Sequence, residues 1–149
     1  MHPNIRHEPH PDHPGWWTWE TFDPPRYSAT LGKLLVQPVG PGRARCRIFP
    51  GVVQSNLNET VHGGAILNFI DMSFFAGGYM AGFRDVQAVT LDTSVQFIGA
   101  GRLGVPLDSE VELLRETGRL AFLRGLVVQD GATVASFTGT LRKMMPRAA

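Results

Sequence analysis

A chain of 149 residues, 43% hydrophobic and 18% charged, is long enough for one domain with a real core, a composition that argues against disorder and against a membrane-spanning protein. Its 14 basic and 13 acidic residues leave a formal net charge of +1 and are mixed along the chain, so no dense Lys/Arg run is available to track nucleic acid. The single cysteine, Cys46, excludes an internal disulfide, and the first residues lack the basic-then-apolar order of a secretion signal, so the chain reads as cytoplasmic.

Residues 1–30 read as an N-terminal arm. His2, His7, His10 and His13 stand among prolines at a spacing that matches no metal-ligand motif, and regular structure is not expected before Tyr27. Trp16, Trp17 and Trp19 are too apolar to leave in water; they are expected to pack on the domain or on a neighbouring subunit, with a part in a substrate pocket as the alternative.

Residues 31–149 read as the folded domain. Strands are expected over Lys33 to Val39 and Arg43 to Phe49, joined by the Gly40-Pro41-Gly42 turn, with Ala44, Cys46 and Ile48 on one face and Arg43, Arg45 and Arg47 on the other. An irregular loop, Pro50 to Thr60, leads into a helix over Gly63 to Gly82. Its Ala65 to Phe83 stretch is interrupted by Asn68, Asp71, Ser73 and glycines, which favours a buried helix over a bilayer span. Four further strands follow, Gln87 to Ile98, Leu107 to Glu116, Arg119 to Gln129 and Thr133 to Lys143, with hairpin signals at Glu116-Thr117-Gly118 and Gln129-Asp130-Gly131. Two strands, one long apolar helix and a four-strand meander imply an α+β architecture in which an antiparallel sheet wraps the helix.

Asp71 is the most informative residue, a carboxylate set mid-helix beside Leu67, Asn68, Phe74 and Phe75 with no cation within a helical turn. Such an acid is a candidate base or nucleophile, and equally a structural aspartate. His62-Gly63-Gly64 opens the same helix, where glycines admit a substrate to the backbone and the free N–H groups suit an anion or a developing oxyanion. Asn56 offers an amide six residues before His62, and Thr90 is expected on the polar face of its strand with Asp92, Ser94 and Gln96. Taken singly, Asn56 reads as a turn residue and Thr90 as an ordinary strand threonine.

The order Asn56, five residues, His62-Gly63-Gly64, Asp71, then Val89-Thr90-Leu91-Asp92 and a Gly118-Arg119 turn resembles the hotdog-fold thioesterases of the phenylacetate-degradation (PaaI-like) branch. The likeness spans Leu31 to Leu141. It implies acyl-CoA hydrolysis without a resident cofactor or metal, coenzyme A being part of the substrate. Asp71 is then the base or nucleophile, the Gly63/Gly64 amide polarises the carbonyl, Asn56 positions the reacting groups, Thr90 assists the water and His62 shapes the loop. It also implies a site shared between the chains of a homodimer or a dimer of dimers.

Two departures stand out. Glu59 occupies a place where many relatives carry glycine, and Phe97-Ile98-Gly99-Ala100-Gly101-Arg102 replaces an aromatic-x-Arg-Pro strand ending. Arg102, Arg119, Arg142 and Lys143 are the remaining candidates for the CoA phosphates, with solvated surface cations as the alternative. A non-catalytic acyl-CoA sensor and an enoyl-CoA hydratase are the competing readings. Both use the same fold, and the hydratase is disfavoured because glycines follow His62.

Overall fold

A computed structural model of the protein describes residues 1–22, 24–84 and 87–145. Its central element is α1, Gly63–Met80, whose Phe69, Ile70 and Phe74 are wholly buried. The His62 side chain caps the start of α1, accepting from the Gly64 amide. At the far end Gly82 takes φ 117°, Phe83 N–H donates to Gly78 O at 2.8 Å and Gly82 N–H to Tyr79 O at 3.2 Å. These are the two bonds of a Schellman ending, satisfying carbonyls that a finished helix leaves without partners.

The sheet on which α1 lies comprises β2 (Trp17–Thr18), β4 (Leu34–Pro38), β5 (Arg43–Ile48), β6 (Ala88–Phe97), β7 (Leu107–Glu116), β8 (Leu120–Gln129) and β9 (Ala132–Lys143). All neighbours are antiparallel, in the order β2-β4-β5-β7-β8-β9-β6. The period-2 alternation of β5 works as the sequence implies: Ala44, Cys46 and Ile48 are buried under α1, while Arg47 reaches Asp108 through two bonds of 2.7 and 2.8 Å on the outer face. This is the expected hotdog arrangement of one long helix against a large antiparallel sheet. Beyond the sheet, α1 is touched by the arm and by the 3-10 turn Tyr27–Leu31, through His7 on Tyr79 and Thr30 on Asn68, and Leu67 keeps 45% of its surface exposed.

The arm departs from the irregular segment expected before Tyr27. β1 (Ile5–Arg6) pairs with β3 (Glu20–Thr21), and β2 pairs Trp17 with Val36 and Thr18 with Leu35. Strands of two residues leave no periodicity to read; β2 is a strand through the ladder offered by β4, and β1 and β3 through each other. Trp19 joins the core at 3% exposure, His7 stacks on Trp17 at 5.1 Å, and Arg47 lies 4.7 Å over Trp16. The tryptophans therefore pack on the domain itself.

β6 carries a second departure. Thr90 pairs with Leu141 and Asp92 with Thr140, so Leu91 is an extra residue that bulges from the ladder. Directly paired residues share a face. The bulge thus separates Thr90, opposite the buried Leu141, from Asp92, Ser94 and Gln96, opposite Thr140, Thr138 and Ser136. Thr90 faces the helix, not the polar side that simple alternation predicts.

Candidate active site

Asp71 projects from the middle of α1 toward β6, half-buried, and its Oδ1 accepts a 2.7 Å hydrogen bond from the Thr90 hydroxyl. The bulge at Leu91 makes this meeting possible by turning Thr90 inward. With Oδ1 engaged, Oδ2 is the oxygen left to receive a proton. Leu67 lies one turn earlier on α1, and at the start of the helix Phe97 of β6 stands near Gly63, where a placed Cβ would be 3.7 Å from its ring.

The two glycines at the head of α1 are not equivalent. The His62 Nδ1 takes the Gly64 N–H at 2.8 Å, whereas no side chain among the described residues caps Gly63. The uncapped Gly63 amide at the positive helix end is therefore the donor poised for an external acceptor. His62 itself is exposed and acts as the cap that fixes this choice.

Asn56 is committed locally. Its Oδ1 accepts from the Asn58 and Thr60 amides at 2.9 and 3.1 Å, and its Nδ2 donates to Thr60 Oγ1 at 2.8 Å. That is an Asx-type turn, and it holds the loop in which Glu59 sits at φ 58°. A glycine adopts this left-handed conformation freely, while a glutamate does so at a cost of about 1–2 kcal/mol, which the Asn56 bonds across the loop help to offset. A hollow of about 570 Å³ opens beside it, lined by Ser55, Asn56, Leu57, Asn58 and His62.

The four candidate cations divide. Arg102 pairs with Asp130, and Lys143 pairs with Glu116 at 2.8 Å. Arg119 and Arg142 are exposed and have no ion pair among the described residues. Cys46 is fully buried, and desolvation pushes its thiol up to about 12, which makes it inert as a nucleophile. Ser73 and Ser109, whose hydroxyls lie 2.6 Å apart, pack beneath α1 with it. Among the described residues no group of three or more His, Cys, Asp or Glu is placed to hold a metal, and no helix is long and apolar enough to cross a membrane.

The signals missed from sequence are the bulge, the cap on Gly64 and the Asn68 side chain, which donates to Thr30 Oγ1 at 3.2 Å. Only the cap had a local sign, a histidine immediately before two glycines at a helix start.

Residues 58–136, more than half of the chain, match the model of the thioesterase superfamily. Among solved structures, zebrafish thioesterase superfamily member 2 is similar at TM-score 0.72 and 21% identity, over 82% of this chain and 89% of that one. A mutant of the phenylacetic acid degradation protein PaaI from Thermus thermophilus is similar at TM-score 0.67 and 27% identity, over 82% and 100%. A Streptococcus mutans protein bound to acetyl CoA is similar at TM-score 0.65 and 21% identity, over 76% and 90%. No curated protein matches the chain significantly.

Proposed function

The chain belongs to the thioesterase superfamily, and from that premise we propose that it hydrolyses the thioester of an acyl- or aryl-CoA with water activated by Asp71. The observation that carries this reading is the hydrogen bond from Thr90 to Asp71, which orients a lone carboxylate on an apolar helix and leaves its second oxygen open. A carboxylate so held is poised for base catalysis. Water gives a proton to Asp71 Oδ2 while its oxygen adds to the thioester carbonyl carbon. The carbonyl oxygen becomes an oxyanion received by the Gly63 N–H. Collapse re-forms the carbonyl, breaks the C–S bond and expels the thiolate of coenzyme A, which takes up the proton.

The two halves of this chemistry lie apart in one chain. Gly63 and Asp71 are eight residues apart on one helix, about 12 Å at ~1.5 Å per residue, whereas both groups must come within about 3 Å of the reacting atoms. A homodimer resolves this, with Gly63 and the Asn56 loop of one chain facing Asp71 and Thr90 of the other. The edge strand β6 supports this assembly: Leu91 and Phe97 on it are 51% and 53% exposed and Ile98, which follows it, 55%, apolar surface that a partner chain would cover. Arg119 and Arg142, free of ion pairs among the described residues, are the better placed cations for CoA phosphates.

The test is thiol release from a panel of acyl-CoAs, read with a chromogenic thiol reagent. Cys46 is buried and does not contribute background in the native protein. Turnover that disappears in Asp71→Asn supports the assignment. Tight acyl-CoA binding without thiol release makes the protein a sensor and overturns it.

A further inference from the structure

A cavity of about 370 Å³ separates the N-terminal arm from the flank of α1, within the range of roughly 300–1,000 Å³ usual for small-ligand sites. Its apolar walls are Trp19 and Phe22 from the arm, Ala29 from the 3-10 turn Tyr27–Leu31, Leu34 from β4 and Met72 from α1. Met72 follows Asp71 directly. Asn68, one turn before Met72 on the same helix face, is tied to Thr30 of that turn, so Met72 is the residue of α1 that joins the cavity wall to the position of Asp71. The two charges at its rim are directed elsewhere: Glu20 lies 3.6 Å from Arg6, and the Lys33 ammonium is 5.7 Å from the Phe49 ring centre. The two lining hydroxyls, Thr21 and Ser28, lie 3.3 Å apart and bond to each other, so an uncharged, largely apolar group fits such walls and a CoA phosphate does not.

Resting on the thioesterase reading, we infer that this cavity receives the acyl chain of the substrate, with the arm as the wall that sets chain length. Phe22 is 45% exposed and the side chain of Met72 is flexible, so the walls can adjust around a chain that enters beside Met72.

The experiment has two arms. In the first, kcat/KM is measured for acetyl-, octanoyl-, decanoyl- and palmitoyl-CoA with the wild type, with Ala29→Phe, which fills the cavity from an exposed turn position, and with Phe22→Ala, which opens it. Ala29→Phe is expected to lower the decanoyl-to-acetyl ratio by at least about tenfold while leaving acetyl-CoA turnover near wild type. Phe22→Ala is expected to move the preference to longer chains. A ratio unchanged in both variants overturns the inference. The second arm needs no catalysis: omega-bromodecanoic acid is titrated against tryptophan fluorescence, with Trp19→Phe as control. Quenching that is lost in both Ala29→Phe and Trp19→Phe supports the cavity as the apolar site. No quenching, or quenching that survives filling, overturns it even if thioesterase activity is present, whereas failure of the thioesterase reading alone leaves the quenching intact.

Discussion

Neutralising Asp71 separates the roles of the site residues. Asp71→Asn keeps the shape and the bond from Thr90 but removes the base, so kcat is expected to fall by at least ~10²-fold with the fold intact; wild-type turnover by the purified variant would discard the central assignment. Thr90 donates to an ionised partner, a bond of roughly 1.5–3 kcal/mol, and Thr90→Ala is expected to cost about tenfold in kcat, less than Asp71→Asn. Thr90→Ser restores the hydroxyl and most of the rate, as a positioning group should; a serine variant as slow as alanine contradicts that role. His62→Ala removes the cap on Gly64, worth ~1 kcal/mol, and is expected to lower Tm by about 2–4 °C while turnover stays within about threefold. A hundredfold loss would instead make the imidazole a participant.

At the scale of elements, close approach between helix and sheet is bought with glycine. A Cβ on Gly139 of β9 would lie 2.2 Å from the ring of Phe74, which is fully buried on α1 and cannot retreat. Gly139→Ala is expected to destabilise by about 1–3 kcal/mol, whereas Gly118→Ala, where nothing lies within 4 Å, is expected to be near neutral; equal denaturation midpoints for the two would refute this. The same closeness explains what was legible beforehand. The alternation of Ala44, Cys46 and Ile48 with Arg43, Arg45 and Arg47, and the long, largely apolar stretch of α1, are local patterns that the tertiary structure only completes. The arm strands were not legible because two residues carry no period, and their partners, β4 for β2 and each other for β1 and β3, are decided by the tertiary structure. Thr90 was assigned to the wrong face because one unpaired residue, Leu91, shifts the phase of everything after it. The Asp71 pattern was visible, but the partner of each polar group was not: Asn56 spends its amide on its own loop, and Gly64 spends its N–H on His62.

For the whole molecule, the shared-site assembly predicts complementation. Asn56→Ala, which releases the loop leading into Gly63, and Asp71→Ala are each expected to abolish turnover; such chains, unfolded together and refolded as a mixture, pair at random, so about half the dimers are mixed and each carries one intact site of two. Activity should return to about a quarter of wild type. A mixture that stays dead despite verified mixed dimers, or a fully active monomer, refutes the composite site.

The strand β2 also limits how far the sheet can extend. A sheet has two lateral ends, and here one of them, the outer side of β4, is occupied by Trp17 and Thr18, while β6 at the other end has no further strand beside it among the described residues. Units with one blocked end and one open end pair once and stop, because joining two of them consumes both open ends. The arm therefore acts as a chain terminator against open-ended stacking. A protein starting at Trp19 regains a second open end, and its sedimentation is expected to show growth beyond the pair as concentration rises, where the intact protein reaches a fixed size.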